Sequence, residues 1–142
     1  MTELPWEMRL SLRQGNVYKM VHRNLHSPLP HYFIVVSQEP TSSEILLLTV
    51  VTSKVEKVRI RRKDQADETL VELDPNVYSE LSMVSMVDCN EVFREPLKDF
   101  ISKFHSGELE NCDPINDQYL KLILQGINAS DLVSNKIKND IN

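Results

Sequence analysis

The chain has 142 residues, of which 41% are hydrophobic and 26% are charged, a composition typical of one globular domain and not of a disordered chain. Its formal charge is −5 at pH 7, which argues against a nucleic-acid-binding surface spread over the whole protein. Three glycines and two cysteines are too few for a glycine-rich nucleotide loop or a disulfide framework.

The charge is distributed unevenly along the chain. Residues 54–63 contain six cations against one acid, Glu56, a local charge of +5 on an otherwise acidic protein. About one or two cations are enough to discourage pairing at a strand edge. Contact with phosphate groups therefore explains this cluster better than a solvated strand face, which stays the alternative.

Up to about residue 95 the sequence has the character of β-strands. Runs rich in β-branched and aromatic residues alternate with turn-forming segments, and the continuous apolar runs at 33–36 and 45–51 predict strands covered on both faces. Asp74 and Pro75 predict a single helical turn over 75–81. The predicted strands are 16–22, 31–37, 44–53, 55–62, 69–73 and 84–89.

The segment 55–62 alternates, so as a strand it turns Val58 and Ile60 to one side and three cations, Lys57, Arg59 and Arg61, to the other. After residue 95 the apolar residues recur at helical spacing. One helix is predicted from Pro96 and ends at Gly107, a second begins at Asp113, and a third begins after Ser130. The prediction is a single domain of residues 1–142, mainly β with α, in which a small barrel or half-open sheet (about 12–94) precedes a helical part (95–142).

The order of these segments resembles the MazF/PemK (Kid/CcdB-like) toxins of type II toxin–antitoxin systems. The resemblance rests on five segments: Gly15-Asn16-Val17-Tyr18, HYFIVVS at 31–37, LTVVTSK at 48–54, TLVEL at 69–73 and Ser85-Met86-Val87-Asp88. It implies an SH3-like barrel that forms a homodimer, cleaves single-stranded RNA and is neutralised by a cognate antitoxin. The family's Thr-Ser pair is kept as Thr52-Ser53, whereas its Arg-Pro pair is His31-Tyr32 here.

Metal-independent RNA cleavage needs a proton acceptor or donor and groups that stabilise charge on the phosphate. His31 fits the first role, because imidazole exchanges a proton near neutral pH, and Thr52 and Ser53 fit as hydroxyl donors. The alternatives are a histidine packed at a strand edge and two hydroxyls that only form a turn. The predicted RNA-binding cations are Lys54, Lys57, Arg59 and Arg61.

No cofactor or metal is expected. His22, His26 and His31 have no reason to converge on one ion, and Cys89 and Cys112 lack a catalytic partner in the sequence. Aromatic stacking of bases requires the fold to bring Tyr18, Tyr32 or Phe33 to the basic segment.

Two functions follow from these features. The first is a toxin endoribonuclease that acts on single-stranded RNA as a homodimer. The second is a non-catalytic module that binds nucleic acid or a protein and has lost the family's arginine. The N-terminal residues lack a signal-peptide pattern and the longest apolar run, 45–51, is far shorter than a membrane span, so a cytoplasmic location without membrane contact is expected.

Overall fold

A computed structural model describes residues 4–6, 8, 12–25 and 27–142. Within them, the strands are β1 (Val17–Met20), β2 (His31–Val35), β3 (Ile45–Thr52), β4 (Leu70–Leu73), β5 (Ser85–Asp88), β6 (Phe93–Pro96) and β7 (Glu110–Cys112). The helices that follow β1 are α1 (Val55–Arg61), α2 (Leu97–Ser106), α3 (Asp117–Ala129) and α4 (Asn135–Ile141).

The strands form one antiparallel sheet centred on β3. Its order is β4-β5-β3-β2-β1-β7, and β6 also pairs with β3. The long strand β3 has β2 on one side, while β6 and β5 share the other side, β6 along the first half and β5 at the last two residues. The predicted class, mainly β with α in which a small barrel or half-open sheet precedes C-terminal helices, is confirmed.

Both faces of this sheet are buried, as the continuous apolar runs predicted. The core between one face and helices α3 and α4 includes Ile34, Val51 and Ile127, whereas the core between the other face and α2 includes Phe33, Leu48 and Phe100. Consecutive residues of β2 and β3 therefore enter opposite cores. Apart from the buried Thr49, the polar side chains of β2 and β3 lie at the ends of these strands, where the candidate site lies.

The prediction of a strand over 55–62 is wrong, because this segment is helix α1. Two-residue alternation and a helical period are hard to separate over so few residues. In the helix, Val58 is buried and Ile60, about 200° further round, is 70% exposed. Lys57 and Arg61 remain on one face, one turn apart, and Arg59 does not share it.

Other differences are smaller. Residues 75–77 form a turn in place of the predicted helical turn over 75–81, although the Asp74 carboxylate accepts hydrogen bonds from the amides of Asn76 and Val77. Strands β6 and β7 were not predicted, and β7 lies in the part expected to be helical. Helix α2 ends at Gly107, which has the predicted left-handed backbone (φ 80°), while α3 begins at Asp117 and not at Asp113.

Gly126 allows helix α3 to approach the sheet closely. A Cβ at this position would lie 2.7 Å from the Glu68 carbonyl oxygen and 2.8 Å from Cys89 Sγ. The carbonyl belongs to the backbone and cannot rotate aside. The helix would have to move away from the core that Ile123 and Ile127 fill.

We expect Gly126→Ala to lower the free energy of unfolding by about 1–3 kcal/mol, measured by urea denaturation. The intrinsic helix preference of alanine acts in the opposite direction, so a net loss reports the close packing. Lys121→Ala, at an exposed position of the same helix, should change stability by less than about 0.5 kcal/mol. Equal stability of Gly126→Ala and the wild type would contradict this account of the α3 packing.

Candidate functional site

Two adjoining clefts open where β2 begins and β3 ends. Their volumes are about 420 Å³ and about 290 Å³. The shared wall of the clefts is formed by Ser27, His31, Thr52 and Lys54. The larger cleft, here the Ser53 cleft, also includes Lys19, Leu29, Pro30, Tyr32, Val51, Ser53, Glu80, Leu81, Ser82, Met83 and Ser85. The smaller, here the α1 cleft, includes Leu25, Val50, Lys57, Val58, Arg61 and Glu91.

The pairing of β2 with β3 brings the predicted catalytic residues together. Tyr32 lies opposite Val51, and the register continues along both strands. Extended by one residue, the same register faces His31 with Thr52. Side chains of directly opposed residues in an antiparallel pair lie on the same face and within reach of one another. Residues 21 positions apart in the sequence thus meet in one wall.

The surroundings of His31 select one tautomer of its ring. Nδ1 lies 3.1 Å from the Leu29 carbonyl oxygen, and a carbonyl can only accept, so Nδ1 carries the proton in this hydrogen bond. The neutral ring then has its lone pair on Nε2. This arrangement suits a proton acceptor, since the carbonyl also fixes the orientation of the ring.

Thr52 and Ser53 end β3 with two hydroxyls next to Lys54. The Lys54 amide donates to Thr52 Oγ1 over 3.2 Å, the local turn that the sequence analysis raised as the alternative role of this hydroxyl. Accepting this bond uses a lone pair and leaves the hydroxyl hydrogen of Thr52 able to donate. Ser53 and Lys54 are exposed in the Ser53 cleft.

The structure divides the four predicted RNA-binding cations. Lys54, Lys57 and Arg61 line the α1 cleft together. Arg59 lies outside both clefts, with its guanidinium 3.0 Å from Glu72 and 3.8 Å from Glu56. The expectation that Arg59 shares a face with Lys57 and Arg61 is wrong, because that expectation assumed the two-residue period of a strand.

Two residues of the Ser53 cleft carry interactions that the sequence analysis did not identify. The Tyr32 hydroxyl donates to the Glu80 carbonyl oxygen over 3.2 Å, and Lys19 Nζ lies 5.2 Å from the centre of the Tyr32 ring. Tyr18 and Phe33, the other aromatic candidates, are buried. Lys19 reaches the cleft through the pairing of β1 with β2, in which it faces Tyr32, and no local sequence pattern marks it.

The two cysteine thiols and the Tyr78 hydroxyl near the sheet are held in their neutral forms. Burial raises the pKa of the Cys89 thiol to about 12 and that of the Cys112 thiol to about 12. Burial also raises the pKa of Tyr78, whose hydroxyl donates to the Asp113 carbonyl oxygen over 2.6 Å. These three groups do not supply a base or a thiolate near neutral pH.

A buried charged cluster supports the loop that leads into His31. His22 Nε2 lies 3.0 Å from Glu95 Oε2, and Lys103 Nζ lies 3.2 Å from the same oxygen. The Asn24 amide donates to His22 Nδ1 over 3.2 Å, so Nε2 carries the proton and faces the carboxylate. Burial lowers the pKa of His22 from its ordinary 6.5, and Lys103 and Arg23 act in the same direction, against the opposing influence of Glu95.

Within the described residues, no group of three histidine, cysteine, aspartate or glutamate side chains is arranged to hold a metal ion. His26 lies outside the described residues. In the part of the chain covered by the structure, no helix combines the length and the apolar character needed to cross a membrane.

The comparisons with known proteins give a match of fold. No protein-family model matches the sequence, and no curated protein sequence does so either. A similar solved structure is described as an endoribonuclease in complex with its cognate antitoxin, from Mycobacterial species. It has a TM-score of 0.50 and 11% sequence identity, and the alignment covers 81% of this chain and 89% of that chain. At this identity the likeness concerns the fold.

The lowered pKa of His22 generates a pH dependence of stability. At pH values between the pKa of His22 in the folded protein and 6.5, the unfolded chain binds more protons than the folded chain. The free energy of unfolding should therefore rise with pH through this range. Acidification below 6.5 should remove stability with a slope of at most about 1.4 kcal/mol per pH unit from this group. Urea denaturation from pH 5 to 8 measures it. His22→Gln should flatten this dependence of stability on pH. His105→Gln, at the exposed end of α2, should leave it unchanged. Equal slopes in the wild type and both variants would contradict the assignment of this pH dependence to His22.

Proposed function

We propose that this chain is the toxin component of a toxin–antitoxin system, a cytoplasmic endoribonuclease of the MazF/PemK type that cleaves single-stranded RNA without a metal ion. The observation that carries the proposal is the wall shared by the two clefts. It joins a histidine with a fixed tautomer, the hydroxyl of Thr52 and the ammonium group of Lys54. The α1 cleft adds Lys57 and Arg61, so three cations against one acid, Glu91, line the cleft in which the phosphate would lie.

The proposed reaction uses the ribose 2′-hydroxyl as the nucleophile. His31 Nε2 accepts the proton of this hydroxyl while the 2′-oxygen attacks the adjacent phosphorus. The bond between the phosphorus and the 5′-oxygen of the next nucleotide breaks. The products are a 2′,3′-cyclic phosphate and a 5′-hydroxyl, whose proton comes from water. Lys54 and Arg61 offset the charge that develops on the phosphate, and Thr52 donates a hydrogen bond to it.

The partner proposed for the free toxin is an antitoxin segment that occupies the Ser53 cleft. Leu29 and Met83, which line this cleft, are 67% and 57% exposed, while Lys19 and Lys54 supply positive charge beside them. An acidic segment with an apolar anchor complements such a surface. The neighbour in the comparison is itself an endoribonuclease bound to its cognate antitoxin.

A non-catalytic binding module is the second candidate. It is favoured by the hydrogen bonds that His31 makes to Leu29 and that Thr52 accepts from Lys54. Both bonds give these side chains a local structural role that needs no RNA. A histidine also lacks the permanent charge and forked donors of the arginine found in the toxin family.

Cleavage of RNA in the presence of EDTA separates the two candidates. We expect single-stranded RNA to be cut with 2′,3′-cyclic phosphate ends, and His31→Ala to lower the rate about 10²–10⁴-fold, because the proton acceptor is lost. Thr52→Val should cost about tenfold or more, through the loss of one donor to developing charge. Gel electrophoresis of a labelled RNA and mass spectrometry of its ends measure both effects.

His105→Ala is the matched control, because His105 is exposed on α2 away from both clefts, and it should retain the wild-type rate. RNA that is bound but never cut, by the wild type and by His31→Arg alike, would establish the binding module. Cleavage only by His31→Arg would identify an inactivated relative of the toxins.

The proposal includes a homodimer, as the resemblance to the toxin family implies. The apolar residues Leu97, Phe100 and Ile101 of α2 are not available to a second copy, because they are buried in the chain's own core. Light scattering at tens of micromolar protein should give twice the mass of 16.4 kDa. A monomeric mass at these concentrations would remove the dimer from the proposal.

A further inference from the structure

A buried carboxylate connects helix α1 to strand β5. Asp88, the last residue of β5, is 2% exposed. Its Oδ2 accepts from Arg62 Nε over 2.8 Å and from Arg61 Nη2 over 3.3 Å. Its Oδ1 accepts from the amide and the side-chain nitrogen of Asn90, both over 3.0 Å. Every hydrogen bond that this charge needs is therefore made within the protein.

Asn90 extends this arrangement into the core. Its side chain donates to Thr69 Oγ1 over 2.9 Å and accepts from Ser130 Oγ over 2.6 Å, and all three residues are buried. A satisfied buried network of this kind fixes the position of its members. Asp88 is thus a rigid point against which the end of α1 is held.

The two arginines that share Asp88 Oδ2 differ in environment. The Arg62 side chain is 16% exposed and makes the shorter contact, whereas the Arg61 side chain is 52% exposed, makes the longer contact and lines the α1 cleft beside Lys57. If Arg61 turns to another anion, Asp88 keeps a charged partner. A buried carboxylate without one is strongly disfavoured, so Arg62 is what makes the departure of Arg61 possible.

We propose that Asp88 and Arg62 are a positioning pair that holds Arg61 at the edge of the α1 cleft and releases it to a phosphate of the bound RNA. This inference rests on the proposed RNA-binding function. Arg61 is the group that contacts RNA. Asp88 and Arg62 act through it, with Arg62 satisfying the carboxylate while Arg61 is engaged elsewhere.

The test measures the affinity of a fluorescent single-stranded RNA at a series of salt concentrations. Arg61→Gln should bind about tenfold more weakly, since a charge-assisted contact is lost, and the salt slope should fall by about 0.7. Arg62→Gln should weaken binding by a similar factor, although Arg62 does not line either cleft, because Asp88 then retains Arg61. Arg59→Gln, which removes a charge outside the clefts, should bind within about twofold of the wild type.

A rescue experiment separates positioning from net charge and from misfolding. Asp88→Asn combined with Arg62→Gln removes the anion that retains Arg61 together with the positioning contact, so affinity should rise several-fold above that of Arg62→Gln alone but stay below that of the wild type. Glu72→Gln combined with Arg62→Gln has the same net charge but keeps Asp88, and should stay as weak as Arg62→Gln alone. Arg62→Lys, which still satisfies Asp88, should bind like the wild type, and circular dichroism verifies that each variant is folded.

The outcomes distinguish this inference from the function on which it rests. If the wild-type protein binds RNA but Arg62→Gln binds it as well as Arg59→Gln does, the positioning role of Asp88 and Arg62 is wrong and the RNA-binding function stands. Equal rescue by Asp88→Asn and by Glu72→Gln would also overturn it, because net charge alone would then explain the data. RNA that the wild type does not bind would overturn both.

Discussion

The antiparallel register between β2 and β3 is the constraint on which the rest of the structure depends. These two strands are buried on both faces, so each residue along them has an assigned core, and a slip of one residue would exchange the contents of the two cores. Phe33 packs under α2 and Ile34 packs under α3, so such a slip would place each of these side chains in the wrong core. The same register faces His31 with Thr52, so the geometry of the candidate site is fixed by the packing of the cores and not by the site residues themselves.

This constraint also explains why polar chemistry is confined to one end of the sheet. Between residues 33 and 51 nearly every side chain of β2 and β3 is apolar and buried, and an unpaired polar group there would be costly. Apart from the buried Thr49, the hydroxyl and charged side chains of these two strands lie where the strands end, at His31 and Tyr32 on one and at Thr52 on the other. Helix α1 begins three residues after Thr52, so its cations enter the same region directly from the strand.

The sequence was informative where a pattern is local and long. The apolar runs at 33–36 and 45–51 predicted buried strands, and the helical spacing of Leu97, Phe100 and Ile101 predicted α2, since each pattern reflects burial along its own element.

Prediction from the sequence failed where pairing with a distant segment decides the structure. Strand β6, with the sequence Phe-Arg-Glu-Pro, has little intrinsic β preference and exists because β3 offers it an edge. Helix α1 was predicted as a strand because a seven-residue segment fits two periods. In the candidate site, His31, Thr52 and Ser53 were predicted from their place in a family-like order of segments. Lys19, Asp88 and Arg62 depend on register and burial that no local pattern records.

In the proposed function, His31 stands where the toxins that the sequence resembles have an arginine, and these two side chains perform different tasks. Arginine supplies a permanent charge and forked donors but does not give up its proton, whereas histidine exchanges a proton and carries charge only when protonated. A site built on His31 therefore needs its permanent positive charge from elsewhere. Helix α1 lies in the right place to supply it, since Lys57 and Arg61 share the cleft with His31, and Asp88 and Arg62 fix the end of that helix in position. In the proposed function, the basic segment, the histidine and the buried carboxylate are parts of one arrangement, in which the strand would supply proton transfer and the helix would supply charge stabilisation.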